Sequence, residues 1–489
     1  MAAANAGLNI CRESLNYREN KMRSFDLVVI GAGPGGYVAA IRGAQKGLKT
    51  AVIESRDVGG TCLNRGCIPT KSMLHSAQVY KEALHGEIFG LKTSGVSYDF
   101  DVINKRKNEV VQKLRSGTEQ LLKSHKAELI RGKAAIKNPT TVVVKTEAGD
   151  EELETKNIII AAGSEPKNLP GFLNGIKNII SSDDALEENA KLYKRILVSG
   201  GGVIGVEFAS IYRDLGCEVT IVGSRENLLR RLDDDISKNI MMLFRKRGIN
   251  IITPAKIQEI KEVNNELVCK IMQKEELKEV VCDGVLWCIG RQPLTRGLFM
   301  DGVDIKMEDG FIVINENMQT SIPNIYAIGD CTLNSTQLAH AASAQGLNAI
   351  SHIKGEEPAC NLSAIPSCVY TSPEIATVGL LESEAAAKGI EVKSGRFLMA
   401  ANGKSLVTNE ERGFIKLVFD AKTDVLLGAH LMCARATDII SELTCAIANK
   451  LTAEELSSVI RPHPTYVEGV TEAVEDLFGT AIHAAPKRK

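Results

Sequence analysis

The sequence has no long apolar segment, no excess of charge of either sign and no cysteine-rich region. No stretch approaches the roughly eighteen consecutive apolar residues that a membrane-spanning helix needs, and the chain does not open with the basic-then-apolar order of a secretory signal. The 59 basic residues nearly balance the 60 acidic ones, so the formal net charge of −1 gives no electrostatic reason to expect nucleic acid or an anionic membrane as the main partner. These absences indicate a protein of a reducing compartment that acts on small or carried substrates.

Most of the twelve cysteines are scattered, as expected for small apolar core residues in a reducing compartment. One pair, Cys62 and Cys67, breaks that pattern. No further cysteine cluster or nearby histidine completes a zinc site around it, and we expect no bound metal.

The first 23 residues hold four basic side chains but also two acidic ones. We predict a disordered extension over 1–23 and a cytoplasmic protein. The alternative is a mitochondrial presequence and a location in the mitochondrial matrix.

Short apolar runs alternate with stretches of helical periodicity, which is typical of parallel sheets covered by helices. The runs lie at residues 25–30, 50–53, 158–161, 196–199, 218–222 and 285–289. A strand, glycine turn, helix and strand follow one another twice, at residues 25–54 and 195–223, which predicts two nucleotide-binding domains. From about residue 361 the pattern changes to strand-like segments at 413–419 and 426–432 and a helical run at 438–449.

The predicted fold class is therefore α/β, with two Rossmann-like dinucleotide-binding domains and a C-terminal α+β domain. The first nucleotide-binding domain is expected to comprise 24–163 with a second part at 291–360. The second nucleotide-binding domain is expected at 164–290, and the C-terminal domain at 361–489.

The first glycine turn places Gly31, Gly33 and Gly36 after a predicted strand. In such a turn the first glycine permits a tight bend, the second lets the backbone approach a pyrophosphate, and the third lets the helix pack on the strand. The helix N-terminus then faces the phosphates. Glu54 closes the next strand, 23 residues after Gly31, where a carboxylate can accept hydrogen bonds from ribose hydroxyls.

The second turn, with Gly200, Gly202 and Gly205, has the same context but no acidic residue at the corresponding place. Counting the same 23 residues from Gly200 gives Gly223. An NAD-selecting enzyme is expected to have a carboxylate there, and an NADP-selecting one to have arginines nearby. The candidates Arg225, Arg230 and Arg231 are within plausible reach, although each is equally well interpreted as a solvated surface charge.

Cys62 and Cys67 follow shortly after Glu54. Residues five apart in a regular helix are separated by about 7.5 Å along its axis, beyond the roughly 4.4–6.8 Å between Cα atoms that a disulfide allows. We therefore predict that Cys62 lies in a distorted or non-helical turn, that Gly66 provides backbone freedom, and that a helix begins near Cys67. A helix N-terminus and the nearby Lys71 favour a thiolate. This spacing alone is more often structural, and its position next to a nucleotide site favours a redox disulfide.

This region and several others resemble the pyridine nucleotide-disulfide oxidoreductase family, and in particular its lipoamide-oxidising members. The resemblance extends over residues 25–478 and is carried by short motifs: GGTCLNRGCIPTK at 59–71, AAGSEP at 161–166, IGRQP at 289–293, AIGD at 327–330, LAHA at 338–341 and HPTYVE at 463–468.

The resemblance implies FAD on the first glycine turn and nicotinamide on the second, with Asp330 binding the ribityl and phosphate region of the flavin. It implies that Cys62 exchanges with substrate, that Cys67 faces the flavin, and that Lys71 pairs with Glu207 beside it. Further cofactor contacts are expected at Gly163, Ser164, Gly290, Arg291, Leu338, Ala339 and His340, and the nicotinamide site includes Gly223. Because the rest of the second turn resembles NAD-using relatives, NAD is predicted.

His463 and Glu468 are expected to be the acid/base residue and its orienting carboxylate. A neutral imidazole can take a thiol proton near pH 7, and a carboxylate raises its basicity. By itself a His-Pro near a C-terminus is more often structural. Arg461 stands where many lipoamide-oxidising relatives have another histidine.

The resemblance implies oxidation of dihydrolipoamide carried on a lipoyl arm, with reduction of NAD, by a homodimer whose interface is the C-terminal domain. The implied partner is a lipoyl-bearing acyltransferase of a 2-oxo acid dehydrogenase complex or the H protein of glycine cleavage. The alternatives are an NADPH-dependent disulfide reductase of the glutathione reductase type and a non-catalytic nucleotide-binding subunit. The latter is disfavoured because both cysteines, the histidine and the glutamate are present, and the absence of cysteine after Cys445 argues against mercuric and large thioredoxin reductases.

Overall fold

The computed structural model of the protein describes residues 22–485. Residues 1–21 of the extension predicted over 1–23 therefore lie outside the described residues. The prediction is wrong for its last residue, because Arg23 belongs to the first strand and pairs in register with Leu153.

The first part of the chain forms a seven-stranded sheet with the order β3-β2-β1-β6-β5-β4, and a later strand, β19, pairs with β6. Its elements are β1 (Arg23–Ile30), α1 (Pro34–Gln45), β2 (Thr50–Glu54), α2 (Gly60–Arg65), α3 (Cys67–Leu84), α4 (Phe100–Ser124), β3 (Glu128–Arg131), β4 (Lys133–Asn138), β5 (Thr141–Thr146) and β6 (Gly149–Ile160). Strands β3, β2, β1 and β6 are parallel, and β4 to β6 form an antiparallel meander. All five residues of β2 are buried because helices cover the sheet.

The second part repeats this plan with a five-stranded parallel sheet in the order β11-β10-β9-β15-β8. Its elements are β7 (Ser164–Pro166), β8 (Ile179–Ser181), β9 (Arg195–Ser199), α5 (Val203–Asp214), β10 (Glu218–Val222), α6 (Asp234–Lys246), β11 (Asn250–Ile252), β12 (Lys256–Val263), β13 (Glu266–Gln273), β14 (Glu276–Cys282), β15 (Gly284–Trp287) and β16 (Arg291–Pro293). Strands β12 to β14 form an antiparallel sheet, and β7 pairs with β16 where the chain enters and leaves this unit.

The chain then returns to the first sheet before it builds the C-terminal unit. The returning elements are β17 (Met307–Glu308), β18 (Phe311–Ile312), β19 (Ile325–Ala327) and α7 (Ala339–Ile353). The C-terminal elements are β20 (Ser367–Val369), β21 (Glu374–Gly379), α8 (Glu382–Ala387), β22 (Val392–Leu398), α9 (Gly403–Thr408), β23 (Phe414–Asp420), β24 (Leu426–Cys433), α10 (Ala436–Ala448), α11 (Ala453–Ser457) and α12 (Glu468–Phe478). Its five strands are antiparallel in the order β20-β21-β24-β23-β22, with α10 and α12 packed into the same core.

The predicted fold class is confirmed. The six apolar runs are the strands β1, β2, β6, β9, β10 and β15, although β6 begins at Gly149 rather than at residue 158. The early part of β6 is rich in charged residues and partly exposed, so its local sequence hides the pairing with β5. Within the described part of the chain, no helix is long and apolar enough to cross a membrane.

The packing of α1 on β1 depends on Gly36. A Cβ atom at this position would lie 1.8 Å from the carbonyl oxygen of Gly31, a distance that no side chain tolerates. We predict that Gly36→Ala lowers the free energy of unfolding by at least about 2 kcal/mol, because α1 must move away from the strand.

Gly117, in the middle of α4, is the matched control. Nothing lies within 4 Å of a Cβ atom there, and alanine is the better helix former. Gly117→Ala should therefore raise stability by about 0.5–1 kcal/mol. Urea unfolding followed by circular dichroism measures both changes, and equal shifts for the two variants would contradict the close-packing argument.

Candidate active site

One large cleft, of about 1260 Å³, runs between the two nucleotide-binding units and contains both glycine turns and the cysteine pair. The carboxyl ends of parallel strands β1 and β9 open onto it, which is where ligands bind in sheets of this type. The predicted residues that line it are Gly31, Gly33, Glu54, Cys62, Cys67, Lys71, Gly163, Ser164, Gly200, Gly202, Glu207, Gly223, Gly290, Arg291, Asp330, Leu338 and Ala339.

The first glycine turn is packed too closely to accept a side chain at Gly31. Gly31 has φ +100°, and a Cβ atom there would lie 2.4 Å from the carbonyl oxygen of Ala161. The buried carboxylate of Glu54 accepts hydrogen bonds from the amides of Ala32 at 2.8 Å and Arg56 at 2.7 Å. These bonds hold the carboxylate at the rim of the cleft, and its oxygens can accept further hydrogen bonds.

Asp330 lies across the cleft in a short polar chain. Ser164 donates to its carboxylate at 2.6 Å, and Arg291 donates to the Ser164 hydroxyl at 2.8 Å and to the Ser164 carbonyl at 2.7 Å. This chain joins β7, β16 and the turn after β19. His340, which was predicted to contact a cofactor, does not line the cleft. Its imidazole Nε2 instead lies 2.7 Å from the carbonyl oxygen of Pro366.

The cysteines form a disulfide, with a Cα–Cα distance of 4.6 Å. Cys62 was predicted to lie in a distorted or non-helical turn, and this is wrong because Cys62 belongs to the short helix α2. The predicted helix start near Cys67 is confirmed, since Cys67 begins α3. The break between the helices falls at Gly66, with φ −145° and ψ −109°, and this break brings the two cysteines closer than one continuous helix would allow.

The residues between the cysteines fix this segment in place. The Asn64 amide donates to the carbonyls of Val58 at 3.0 Å and Gly60 at 2.9 Å, and its oxygen accepts from Arg115 at 2.8 Å. Arg65 forms an ion pair with Asp57. The disulfide is therefore held on a braced segment and not on a mobile loop.

Lys71, one turn into α3, reaches the second nucleotide-binding unit. Its ammonium group lies 2.9 and 3.0 Å from the two carboxylate oxygens of Glu207 on α5. Glu207 is only 3% exposed and also accepts a hydrogen bond from the Tyr370 amide at 3.0 Å. The Tyr370 ring lies 4.6 Å from the ammonium group, a cation–π contact. No local pattern in the sequence indicates Tyr370, because its partners Glu207 and Lys71 are distant in the chain.

The second glycine turn repeats the close packing of the first. A Cβ atom at Gly205 would lie 2.1 Å from the carbonyl oxygen of Gly200, and Gly202 precedes α5. Cys288 lies directly beneath, and burial raises the pKa of its thiol to about 12. The Cys288 thiol therefore stays protonated near neutral pH.

His463 and Glu468 form the expected imidazole–carboxylate pair, but away from the cleft of their own chain. The imidazole Nδ1 lies 2.8 Å from the Glu468 carboxylate, which also accepts from the Thr465 amide at 2.7 Å. Burial alone would raise the pKa of Glu468, but these two contacts hold it below its ordinary value. The His463 side chain is 79% exposed, and neither residue lines the cleft that contains the disulfide.

Arg461 connects α10 and α12. Its side chain is only 3% exposed, forms an ion pair with Glu442 on α10 and donates a hydrogen bond to the Thr471 hydroxyl on α12 at 2.7 Å. It therefore positions the segment that carries His463 and leaves the outer face of that imidazole open.

Two family models match the chain. The model described as pyridine nucleotide-disulphide oxidoreductase matches residues 25–346, and the dimerisation domain of the same family matches 365–474. Dihydrolipoyl dehydrogenase from Bacillus subtilis is 41% identical over 94% of this chain and 99% of the relative, and that of Thermus scotoductus is 40% identical with the same coverage.

Solved structures give the same fold. The HOCl-induced flavoprotein disulfide reductase RclA from Escherichia coli superposes with a TM-score of 0.81 at 28% identity, over 92% of this chain and 99% of its own. LpdA from Mycobacterium tuberculosis superposes with a TM-score of 0.86 at 24% identity, over 93% and 99% of the two chains.

The ion pair of Lys71 with Glu207 should matter for stability. Lys71→Met keeps the length of the side chain but leaves the Glu207 carboxylate buried without its cation, which we expect to cost about 3 kcal/mol. Lys113→Met, which removes an exposed lysine of α4, is the control and should change little. Urea unfolding measures the free energy of unfolding of each variant. The double variant Lys71→Met, Glu207→Leu should recover part of the stability that Lys71→Met loses, because it no longer contains an unpaired buried carboxylate. Equal stability of Lys71→Met and the wild type would show that the pair is not structurally important.

Proposed function

Because the chain belongs to the pyridine nucleotide-disulphide oxidoreductase family, we propose that it is a dihydrolipoyl dehydrogenase, which oxidises dihydrolipoamide and reduces NAD by means of a bound FAD. The observation that carries this proposal is the Cys62–Cys67 disulfide, braced inside a cleft that also contains two nucleotide-binding turns. Relatives at 37–41% identity that carry this name match at least 94% of the chain.

The residues of the first turn suit FAD. Gly31 and Gly36 permit the tight turn and the close packing that place the N-terminus of α1 at the cleft, Gly33 lets the backbone approach a pyrophosphate, and Glu54 offers its carboxylate to ribose hydroxyls. Asp330 lies further along the same cleft and would face the ribityl chain. When bound, FAD supplies two-electron transfer between a dithiol and a nicotinamide.

Thiol–disulfide exchange accounts for the part of the reaction that the protein performs. His463, oriented by Glu468, takes a proton from one thiol of dihydrolipoamide, and the thiolate attacks Cys62. The Cys62–Cys67 bond breaks, a mixed disulfide forms, and Cys67 leaves as a thiolate. The second substrate thiol then displaces Cys62, which gives lipoamide and the reduced cysteine pair. The two electrons thus enter the protein as the Cys62–Cys67 dithiol.

The proposed substrate is carried on a lipoyl arm, by an acyltransferase of a 2-oxo acid dehydrogenase complex or by a glycine cleavage H protein. The match of residues 365–474 to the family dimerisation domain supports a homodimer. The relatives compared above are bacterial, which supports a cytoplasmic location over the mitochondrial matrix. Their shared name also favours lipoamide over glutathione as substrate.

We predict that Cys62→Ser abolishes dihydrolipoamide oxidation while FAD remains bound, because Cys67 alone has no disulfide to be reduced. Cys445→Ser, which changes an exposed free cysteine of α10, is the control and should retain activity. Activity is measured with dihydrolipoamide or glutathione disulfide, each in combination with NAD(H) or NADP(H). Near wild-type lipoamide turnover by Cys62→Ser would remove this disulfide from the mechanism.

The position of His463 generates a second prediction. It is exposed and lies outside its own cleft, so we propose that it serves the disulfide of the partner subunit. In a two-fold dimer of a Cys62→Ser chain with a His463→Gln chain, one site then contains both lesions and the other contains neither.

Unfolding, mixing and refolding the two inactive proteins should restore roughly a quarter of wild-type activity, since about half of the dimers are mixed and each has one intact site. Differently tagged chains allow the mixed dimers to be purified. No activity in purified mixed dimers that have bound FAD would show that His463 serves its own chain.

A further inference from the structure

The end of β10 lacks the acidic residue that would bind the ribose of NAD. Gly223 occupies that place and lines the cleft. A Cβ atom on Gly223 would lie 2.9 Å from the Cγ2 atom of Thr253, so a larger residue would need Thr253 to shift. This part of the nucleotide site therefore offers no carboxylate to ribose hydroxyls and no negative charge to repel a phosphate.

The segment that follows, which we call the arginine loop (residues 223–232), carries three arginines that line the same cleft as Gly223. The exposed residues Arg225, Arg230 and Arg231 all line the cleft. None of their guanidinium groups forms an ion pair or side-chain hydrogen bond with any residue between 22 and 485. Other arginines of the same unit are paired: Arg195 with Asp283, and Arg247 with Asp214.

The nearby acidic residues do not neutralise this cluster. Asp233 caps α6 and forms an ion pair with Lys416 of the C-terminal unit at 2.9 Å, and Asp235 contacts the same lysine at 3.4 Å. Glu226 and Asp234 are exposed, and neither lines the cleft.

The arginine loop is fixed against the second glycine turn. The amide of Leu229 donates to the carbonyl of Gly201 at 2.8 Å, and the side chains of Leu228 and Leu229 are buried. Leu229 has φ +51°, a conformation that is unfavourable for a bulky residue and persists only where its surroundings enforce it. Arg230 and Arg231 therefore follow directly after a residue bonded to the turn that receives the pyrophosphate.

We infer that Arg225, Arg230 and Arg231 form a subsite for the 2′-phosphate of a dinucleotide, so that the cleft accepts NADP(H) as well as NAD(H). The inference rests on the proposed function only in taking the second turn as the nicotinamide site. A guanidinium group binds phosphate through charge-assisted, often bidentate hydrogen bonds, and unpaired guanidinium groups are available for it.

The test uses the FAD-loaded enzyme and two ligands of equal charge that differ only in the position of one phosphate, 2′,5′-ADP and 3′,5′-ADP, in isothermal titration calorimetry. A specific 2′-phosphate subsite should bind 2′,5′-ADP at least about tenfold more tightly, whereas a diffuse positive surface would bind both ligands equally. Equal affinity in the wild-type enzyme overturns the inference.

Substitution of the arginines tests which of them bind the 2′-phosphate. In each of the single variants Arg225→Gln and Arg230→Gln, the affinity for 2′,5′-ADP divided by that for the second ligand should fall about fivefold or more. This ratio should fall further in the triple variant that also carries Arg231→Gln. Arg245→Gln removes an exposed arginine of α6 outside the cleft and should leave the ratio unchanged. The same ratio in the triple variant as in the wild type overturns the inference.

The two proposals can fail separately. Fragment binding needs no dihydrolipoamide, so selective binding of 2′,5′-ADP by an enzyme that does not oxidise dihydrolipoamide would refute the proposed function and leave the subsite supported. Oxidation of dihydrolipoamide with NAD, but without preference for 2′,5′-ADP, would refute the subsite alone.

Discussion

The ion pair between Lys71 and Glu207 joins the parts of the protein that must act together. Lys71 lies on the helix that begins with Cys67, Glu207 lies on the helix that follows the second glycine turn, and the Tyr370 amide brings the C-terminal unit to the same carboxylate. A nearly buried carboxylate is stable only with such partners. The electrostatic requirement of the Glu207 carboxylate therefore fixes the disulfide helix, the second nucleotide-binding unit and the C-terminal unit relative to one another.

The two nucleotide turns show how one steric constraint can serve two ligands. At Gly36 and again at Gly205, a Cβ atom would collide with the carbonyl oxygen of the first glycine of the turn. Close packing of helix on strand is therefore common to both sites and carries no information about which nucleotide is bound. That information lies at the end of the second strand of each unit, where Glu54 and Gly223 differ.

The sequence was most informative where local pattern and function coincide. Apolar runs located the buried parallel strands, and glycine spacing located both turns, because each depends on residues close together in the chain. Strand β6 was mostly missed because its first half is polar and is paired mainly with β5. The helical state of Cys62 was missed because helix geometry excluded one continuous helix through both cysteines, and two helices separated by a break at Gly66 were not considered. Contacts such as Tyr370 with Glu207 depend on packing between distant elements and leave no local signal.

The exposed side chains of the C-terminal unit are consistent with the proposal that His463 serves a partner subunit. Ile460, three residues before His463, is 97% exposed, and Ile482, near the end of the described residues, is 80% exposed. Apolar side chains in such positions gain stability when a partner covers them. Within its own chain, Arg461 holds the segment that carries His463 through its hydrogen bond to Thr471, and the contact with Glu468 orients the imidazole. Neither contact shields the imidazole from water. Assembly of the homodimer would supply that shielding, and a base that becomes enclosed only on assembly restricts thiol exchange to the intact enzyme.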